Sequence, residues 1–249
     1  MIALNYHQVT EQKTGSIYTI SPRLLARHLA EIQKHCMNIA GVDDVLQAKE
    51  DDTLIMLHFD DGTSDHFDEV FPLLESNNAK GVFFISAAKI NQPGYLTQEQ
   101  VRRIADAGHN IECHGNSHHR MDRMSREELN NELTISIQKI KEWTGRAPRI
   151  LAPPGGYCSQ HITSEARSHG LEIIRTMRWN TNNIPLNGSI NCLVVTSMTS
   201  DSQFSDWLHG KGIIFLRIVF WLKQILRTIL PFQLYLIIRQ NLSKRISQA

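Results

Sequence analysis

Two adjacent carboxylates, Asp60 and Asp61, follow the apolar run Leu54-Ile55-Met56-Leu57, and two histidines four positions apart, His114 and His118, follow the strand-like Asn110-Ile111-Glu112-Cys113. One carboxylate with two imidazoles is a donor set for a divalent metal, zinc first, that keeps an open position for water. A second carboxylate beside it can take that water's proton. Taken alone, Asp60-Asp61-Gly62 reads as a turn capping a helix, and a histidine pair carries little weight in a chain with 12 histidines. Taken together, each at the end of a strand-like run, the clusters point to a hydrolase. The same donors also suit an iron(II) oxygenase, which no other feature of the sequence favours. A third segment, Ala152-Pro153-Pro154-Gly155-Gly156-Tyr157, follows another short apolar run. A Pro-Pro-Gly-Gly turn exposes backbone N–H groups, and Gly155 is placed to donate one to an oxyanion; the alternative is a rigid loop with no catalytic part.

These residues need elements to hold them. Apolar, β-branched and aromatic runs predict strands at 2–7, 54–59, 81–86, 110–114, 149–152, 171–176 and 190–196. Helices lie between them and have legible starts. Ser21-Pro22 is an N-cap with proline at the first helical position, and Thr97-Gln98-Glu99-Gln100 and Ser125-Arg126-Glu127-Glu128 are capping boxes. Leu129, Leu133, Ile137 and Ile140 give the last of these helices one apolar face, and Gly145 ends it. Alternating β and α units predict an α/β fold with a parallel sheet, open or closed. Both clusters then fall just past strand C-termini, the edge where parallel α/β folds bind ligands.

The order of a strand ending in Phe59-Asp60-Asp61-Gly62, then His114-x-x-x-His118, then Pro153-Pro154-Gly155-Gly156-Tyr157 resembles the NodB-homology polysaccharide deacetylases, carbohydrate esterase family 4. Tyr6-His7 and the run Arg175-Thr176-Met177-Arg178-Trp179 are similar to that group as well, and the resemblance covers residues 1 to about 196. It implies a distorted (β/α) barrel of about seven strands and metal-dependent removal of acetyl groups from N-acetylated sugars, a hydrolysis of carbon–nitrogen bonds other than peptide bonds. By that resemblance Asp60 is the base, Asp61, His114 and His118 hold the metal, and Pro154, Gly155 and Tyr157 form a substrate-binding loop. Three departures follow. Ala152-Pro153-Pro154-Gly155 stands where the family has Arg-x-Pro-Tyr, so the arginine that orients the base is missing there, and the aromatic wall is lost or supplied by Tyr157. The later Asp and Trp motif has only Trp179 as a poor match. No Leu-x-His supplies the general acid, which leaves His7 and His209 as candidates, or Asp60 itself after the base step.

With 41% apolar and 20% charged residues the composition is that of an ordinary globular protein. Four cysteines without regular spacing fit a reduced compartment, and Cys113 and Cys158 read as structural. Met1–His7 reads as a strand rather than a secretory signal, so cytoplasm is the expected location. Residues 210–249 hold seven of the 26 basic residues (Lys211, Arg217, Lys223, Arg227, Arg239, Lys244, Arg245) and none of the 25 acidic ones. Interrupted by charges and by Pro231, this stretch is too short in apolar length to span a bilayer. It is read as a basic amphipathic helical tail lying on the inner membrane face, against alternatives of packing on the barrel or dimerising. The expected organisation is a deacetylase domain at 1–205 and this tail at 210–249. The expected substrate is a glycan of a polysaccharide or a lipid-linked sugar, with no nucleic-acid partner and no reading of oligomeric state. The rival function is a non-catalytic scaffold binding metal and glycan on the same fold.

Overall fold

The computed structural model describes residues 1–218 apart from 13, 215 and 216, so the expected tail lies almost wholly outside the described residues. Each expected strand is present: β1 (Ile2–Tyr6), β5 (Leu54–Asp61), β6 (Val82–Ile85), β7 (Asn110–Cys113), β8 (Ile150–Leu151), β9 (Ile173–Thr176), and a last stave split at Cys192 into β10 (Ser189–Asn191) and β11 (Leu193–Val194). Three two-residue strands, β2 (Gln8–Val9), β3 (Thr19–Ile20) and β4 (Asn38–Ile39), are accessory. All pairings in the main sheet are parallel, in the order β10-β9-β8-β7-β6-β5-β1-β11. β10 pairs with β9 and β11 pairs with β1, so the two halves of one chain segment join the ends of the sheet. The result is a nearly closed, distorted (β/α) barrel of seven staves.

Helices α1 (Pro22–Lys34), α2 (Val42–Gln47), α3 (Phe71–Ser76), α4 (Gln98–Asp106), α5 (Arg126–Thr144), α6 (Gln160–Ser168) and α7 (Asp201–Leu208) surround it. Their ends follow local chemistry. The Ser21 hydroxyl accepts from Leu24 N, Thr97 and Ser125 form reciprocal capping boxes with Gln100 and Glu128, and Gly145 takes the left-handed C-cap of α5 at φ 73°. Helix α7 buries Phe204 and Trp207 and packs against α1, so the bound expected at 205 falls inside a helix of the barrel's outer layer.

Successive strand residues point to opposite faces, and the two faces carry different residues. Leu4, Tyr6, Leu57, Phe59, Phe83, Ile85, Ile111 and Ile174 face out into the core beneath the helices. Ala3, Met56, Val82, Phe84, Ile150, Ile173, Ile190 and Cys192 fill the barrel. Stepping by two along each inward face toward the strand C-termini gives Asn5, His58 and then Asp60, His114 beyond β7, and Arg175 on β9. Every one of these polar side chains is buried. The sequence alternation therefore places polar chemistry in the top layer of the barrel and, Glu112 on β7 apart, hydrocarbon below it.

Candidate active site

The top layer opens into a cavity of about 270 Å³ lined by His7, Tyr18, Asp60, Asp61, His114, His118 and Arg175, with Pro153, Gly155, Gly156 and Met177 as its other wall. Adjacent residues on a strand diverge, yet Asp60 and Asp61 both reach this space. Asp61 (φ 80°) and Gly62 (φ 71°) are both left-handed, which turns the chain at the strand end. His118 is also left-handed, at φ 65°. Such conformations are costly for non-glycine residues and persist where surrounding structure enforces them.

Asp61, His114 and His118 bring one ligand atom each within 4.8 Å of one another. Asp61 Oδ1 lies 3.3 Å from His114 Nε2 and 3.0 Å from His118 Nε2. His114 Nδ1 lies 2.6 Å from the carbonyl of Ala152, which can only accept, so Nδ1 carries a proton and Nε2 is the ring nitrogen left for Asp61 or a metal. Burial pushes the Asp61 carboxyl up, but hydrogen bonds from His114 and His118 outweigh it and hold the group far below the usual carboxylate range. The same contact raises the pKa of His118. Protons here hold together a cluster whose donors fit a divalent cation: one anionic oxygen and two imidazole nitrogens converging on one point.

Asp60 is held differently. Its Oδ2 accepts from Arg175 Nη2 at 2.5 Å and from Asn5 Nδ2 at 3.1 Å, with His7 Nε2 at 3.8 Å. Oδ1 has no hydrogen-bond partner among the described residues. One oxygen is thus fastened and the other buried without a partner among the described residues. Burial pushes the Asp60 carboxyl up, and the charges of Arg175, His114 and His7 more than offset it, so its pKa lies below the ordinary value. Arg175 is itself 2% exposed, with its guanidinium over the Phe84 ring at 5.1 Å.

This corrects the expectation that the arginine orienting the base is missing. It is absent from the loop after β8 and present on β9. The signal was in the sequence as a lone arginine inside the apolar run Leu171–Thr176, which a strand tolerates only when its charge is matched inside the barrel. Asn5, the one strongly polar residue of β1, was missed for the same reason. The substrate loop divides: Gly155 lines the cavity, together with Pro153 and Gly156, while Pro154 and Tyr157 do not. Tyr157 instead lines a neighbouring groove with Arg120 stacked 3.5 Å from its ring centroid, so the aromatic member of the cavity is Tyr18, 5.1 Å from the His7 ring. Of the two acid candidates, His7 lines the cavity. His209 is exposed beyond α7, with Nδ1 on the Ser205 carbonyl and its ring against His35. Cys113 is buried beside Ser136, and burial pushes its thiol up to about 11.

A second missed residue is Glu132, on α5. Its Oε1 accepts from Asn116 N (2.8 Å), Ser117 N (2.7 Å) and Ser117 Oγ (2.9 Å). One turn later Ser136 Oγ donates to the Gly115 carbonyl. Helix α5 thereby grips the backbone that carries His114 and His118.

Comparison with known proteins agrees with this geometry. The polysaccharide deacetylase family model matches residues 47–174, half of the chain. A putative polysaccharide deacetylase, YxkH of Bacillus subtilis, is 22% identical over 125 residues, covering 50% of this chain and 45% of the relative. The peptidoglycan-N-acetylglucosamine deacetylase PgdA of Listeria monocytogenes is 29% identical over 161 residues, 62% of this chain and 33% of the relative. The chain thus matches less than half the length of these curated relatives. The fold is shared with IcaB from Ammonifex degensii, at a TM-score of 0.76 and 21% identity over 83% of this chain and 96% of that one. A family match across the strands that carry Asp60, Asp61, His114 and His118, on a barrel of the same architecture, leads to one assignment: this chain belongs to the polysaccharide deacetylase family.

Proposed function

We propose that the chain is a metal-dependent hydrolase that removes acetyl groups from N-acetylated sugars, with Asp61, His114 and His118 as metal ligands and Asp60 as base. The observation that carries this reading is the pairing of the three convergent donors with Asp60, a carboxylate that lines the same cavity and keeps one oxygen without a hydrogen-bond partner among the described residues. Zinc is the ion we favour, because two imidazoles and one carboxylate are its usual catalytic set. When bound, a divalent ion would polarise the acyl carbonyl and make a neighbouring water more acidic.

This chain's own residues do the rest. Asp60 Oδ1 takes the proton of the attacking water as its oxygen bonds to the carbonyl carbon. Arg175 and Asn5 keep Oδ2 engaged, so that only Oδ1 is available. The Gly155 backbone N–H, on the facing wall, meets the oxygen that gains charge. As the C–N bond breaks, the amine needs a proton, and the one Asp60 took from water passes to it by way of His7, 3.8 Å from Asp60 Oδ2, which returns Asp60 to its base form. Burial lowers the pKa of His7, so a proton it receives is readily passed on. Acetate and a free amine result. The scaffold alternative drew its strength from a missing arginine and a missing acid histidine; Arg175 beside Asp60 and His7 in the cavity support the enzyme reading over it. We place the protein in the cytoplasm at the inner membrane face, a reading supported by the basic apolar composition of residues 210–249.

The test is metal content measured together with acetate release from N-acetylated oligosaccharides. Wild type and Asp60→Asn should both hold one metal equivalent, His114→Ala should hold none, and acetate release should fall by roughly 10²–10⁴ in Asp60→Asn. Stoichiometric metal with no turnover by wild type on any N-acetylated sugar would sink the enzyme reading.

A further inference from the structure

The metal cavity is too small for more than about one sugar unit, and what adjoins it is cationic. Across the shared rim Gly156–Met177 it meets a groove of about 590 Å³ that includes Arg167 and Arg178. Arg178 in turn borders a third cavity of about 650 Å³, with Arg217, Trp179, Ile214 and Ile218. No aspartate or glutamate lines either of these two spaces among the described residues. The described arginines that meet a carboxylate lie elsewhere. Three guanidiniums without a carboxylate partner among the described residues therefore mark a path leading away from the metal centre.

The path also changes character along its length. Its first part is polar, with Thr176, Gln160 and Asn187 beside the arginines. Its far end is apolar and open: Ile214 is 72% and Ile218 50% exposed, next to Trp179. A neutral polysaccharide chain can accept hydrogen bonds from these guanidiniums but brings no charge to match theirs. Guanidiniums match phosphate oxygens in pairs, and exposed isoleucines beside an indole match hydrocarbon.

Resting on the deacetylase reading above, we propose that the substrate is an N-acetylated sugar carried on a lipid phosphate or diphosphate. The acetamido group sits in the metal cavity, the phosphate lies between Arg167 and Arg178, and the lipid begins at Arg217, Ile214 and Ile218. The order of cavities, 270 Å³ beside the metal ligands, then cationic, then apolar, repeats the order sugar, phosphate, hydrocarbon.

Binding is measured on full-length Asp60→Asn, so that it does not depend on turnover. The probes are N-acetylglucosamine linked through diphosphate to a short prenyl chain, the same sugar as its uridine diphosphate conjugate, and the neutral N-acetylglucosamine tetramer. The prenyl conjugate should bind at least tenfold tighter than either comparator, and its advantage over the tetramer should shrink as salt is raised. Arg178→Gln and, separately, Arg217→Gln should each cut the ratio of prenyl-conjugate to tetramer affinity by roughly tenfold, as expected for loss of a charge-assisted contact. The proposal is overturned if the tetramer binds as tightly as the prenyl conjugate. It is equally overturned if the uridine conjugate matches the prenyl one, or if both variants leave the ratio unchanged. Failure of acetate release with the binding preference intact would count against the hydrolase reading and leave this one standing.

Discussion

Asp60 and Arg175 show how one buried ion pair divides the two oxygens of a carboxylate between structure and chemistry. Both side chains are almost fully buried, and each charge is tolerable only because the other is there. Replacing Arg175 with methionine keeps the volume and removes the match. Burial then acts on Asp60 with its main opposing charge gone, the carboxyl takes up a proton at rest, and Oδ1 is no longer a base. Arg175→Met should lower acetate release by roughly 10²–10⁴, the usual worth of general-base catalysis. It should also cost about 3–5 kcal/mol of stability, because Asp60 is left buried without its partner, a fall in Tm of roughly 10 °C. Thermal melts and initial rates check both, and Arg175→Lys, which restores the charge without the second N–H, should recover most of the Tm and little of the rate. Full activity in the methionine variant would mean that Asn5 alone positions the base.

Helix α5 and the loop it grips explain why part of the site was legible in sequence and part was not. The strands could be read because each is an apolar run bounded by turn residues, and the helix starts because Ser21, Thr97 and Ser125 announce their caps. Asp60, Asp61, His114 and His118 could be read because short sequence spacing became spatial proximity within single strand-to-loop turns. Arg175, Asn5 and Glu132 could not be placed, because their partners are 115, 55 and about 15 residues away in the chain and the pairing exists only once the barrel closes. A glutamate on a helix of mixed composition looks like a solvated charge, and Glu132 is buried against backbone N–H groups instead. Gly115, at φ 77°, lets the loop approach it; a Cβ there would stand 2.8 Å from Glu132 Oε1 and from Met121 Cε. The cost of loosening this grip falls on the metal. Glu132→Gln keeps the shape but replaces a charged acceptor of three hydrogen bonds with a neutral one, and metal affinity should fall by roughly tenfold, as for other groups that orient ligands from behind. Competition with a chromophoric chelator reads that constant directly, and wild-type affinity in the variant would show that the loop holds its shape without α5.

At the scale of the whole molecule the charge is divided. A chain of net charge +1 keeps seven basic and no acidic residues in 210–249, so the remainder is acidic overall. The barrel ends in order: Trp207, Leu208 and Ile213 are buried, and from Ile214 the described apolar side chains turn outward. The tail beyond Ile218 lies outside the described residues, and its sequence mixes bulky apolar residues with arginine and lysine at intervals that no bilayer-spanning segment would carry. Such a segment gains from an anionic surface twice, through burial of its apolar side chains and through attraction of each basic residue worth about 1 kcal/mol near the membrane. Full-length protein should therefore sediment with vesicles containing anionic lipid, release progressively as salt is raised, and bind little to neutral vesicles. A chain ending at Ile218, which keeps the buried residues Trp207, Leu208 and Ile213, should stay in the supernatant while retaining its metal. Equal sedimentation of the two proteins would refute a membrane role for the tail, and salt-insensitive sedimentation of the full chain would assign the attraction to hydrocarbon alone.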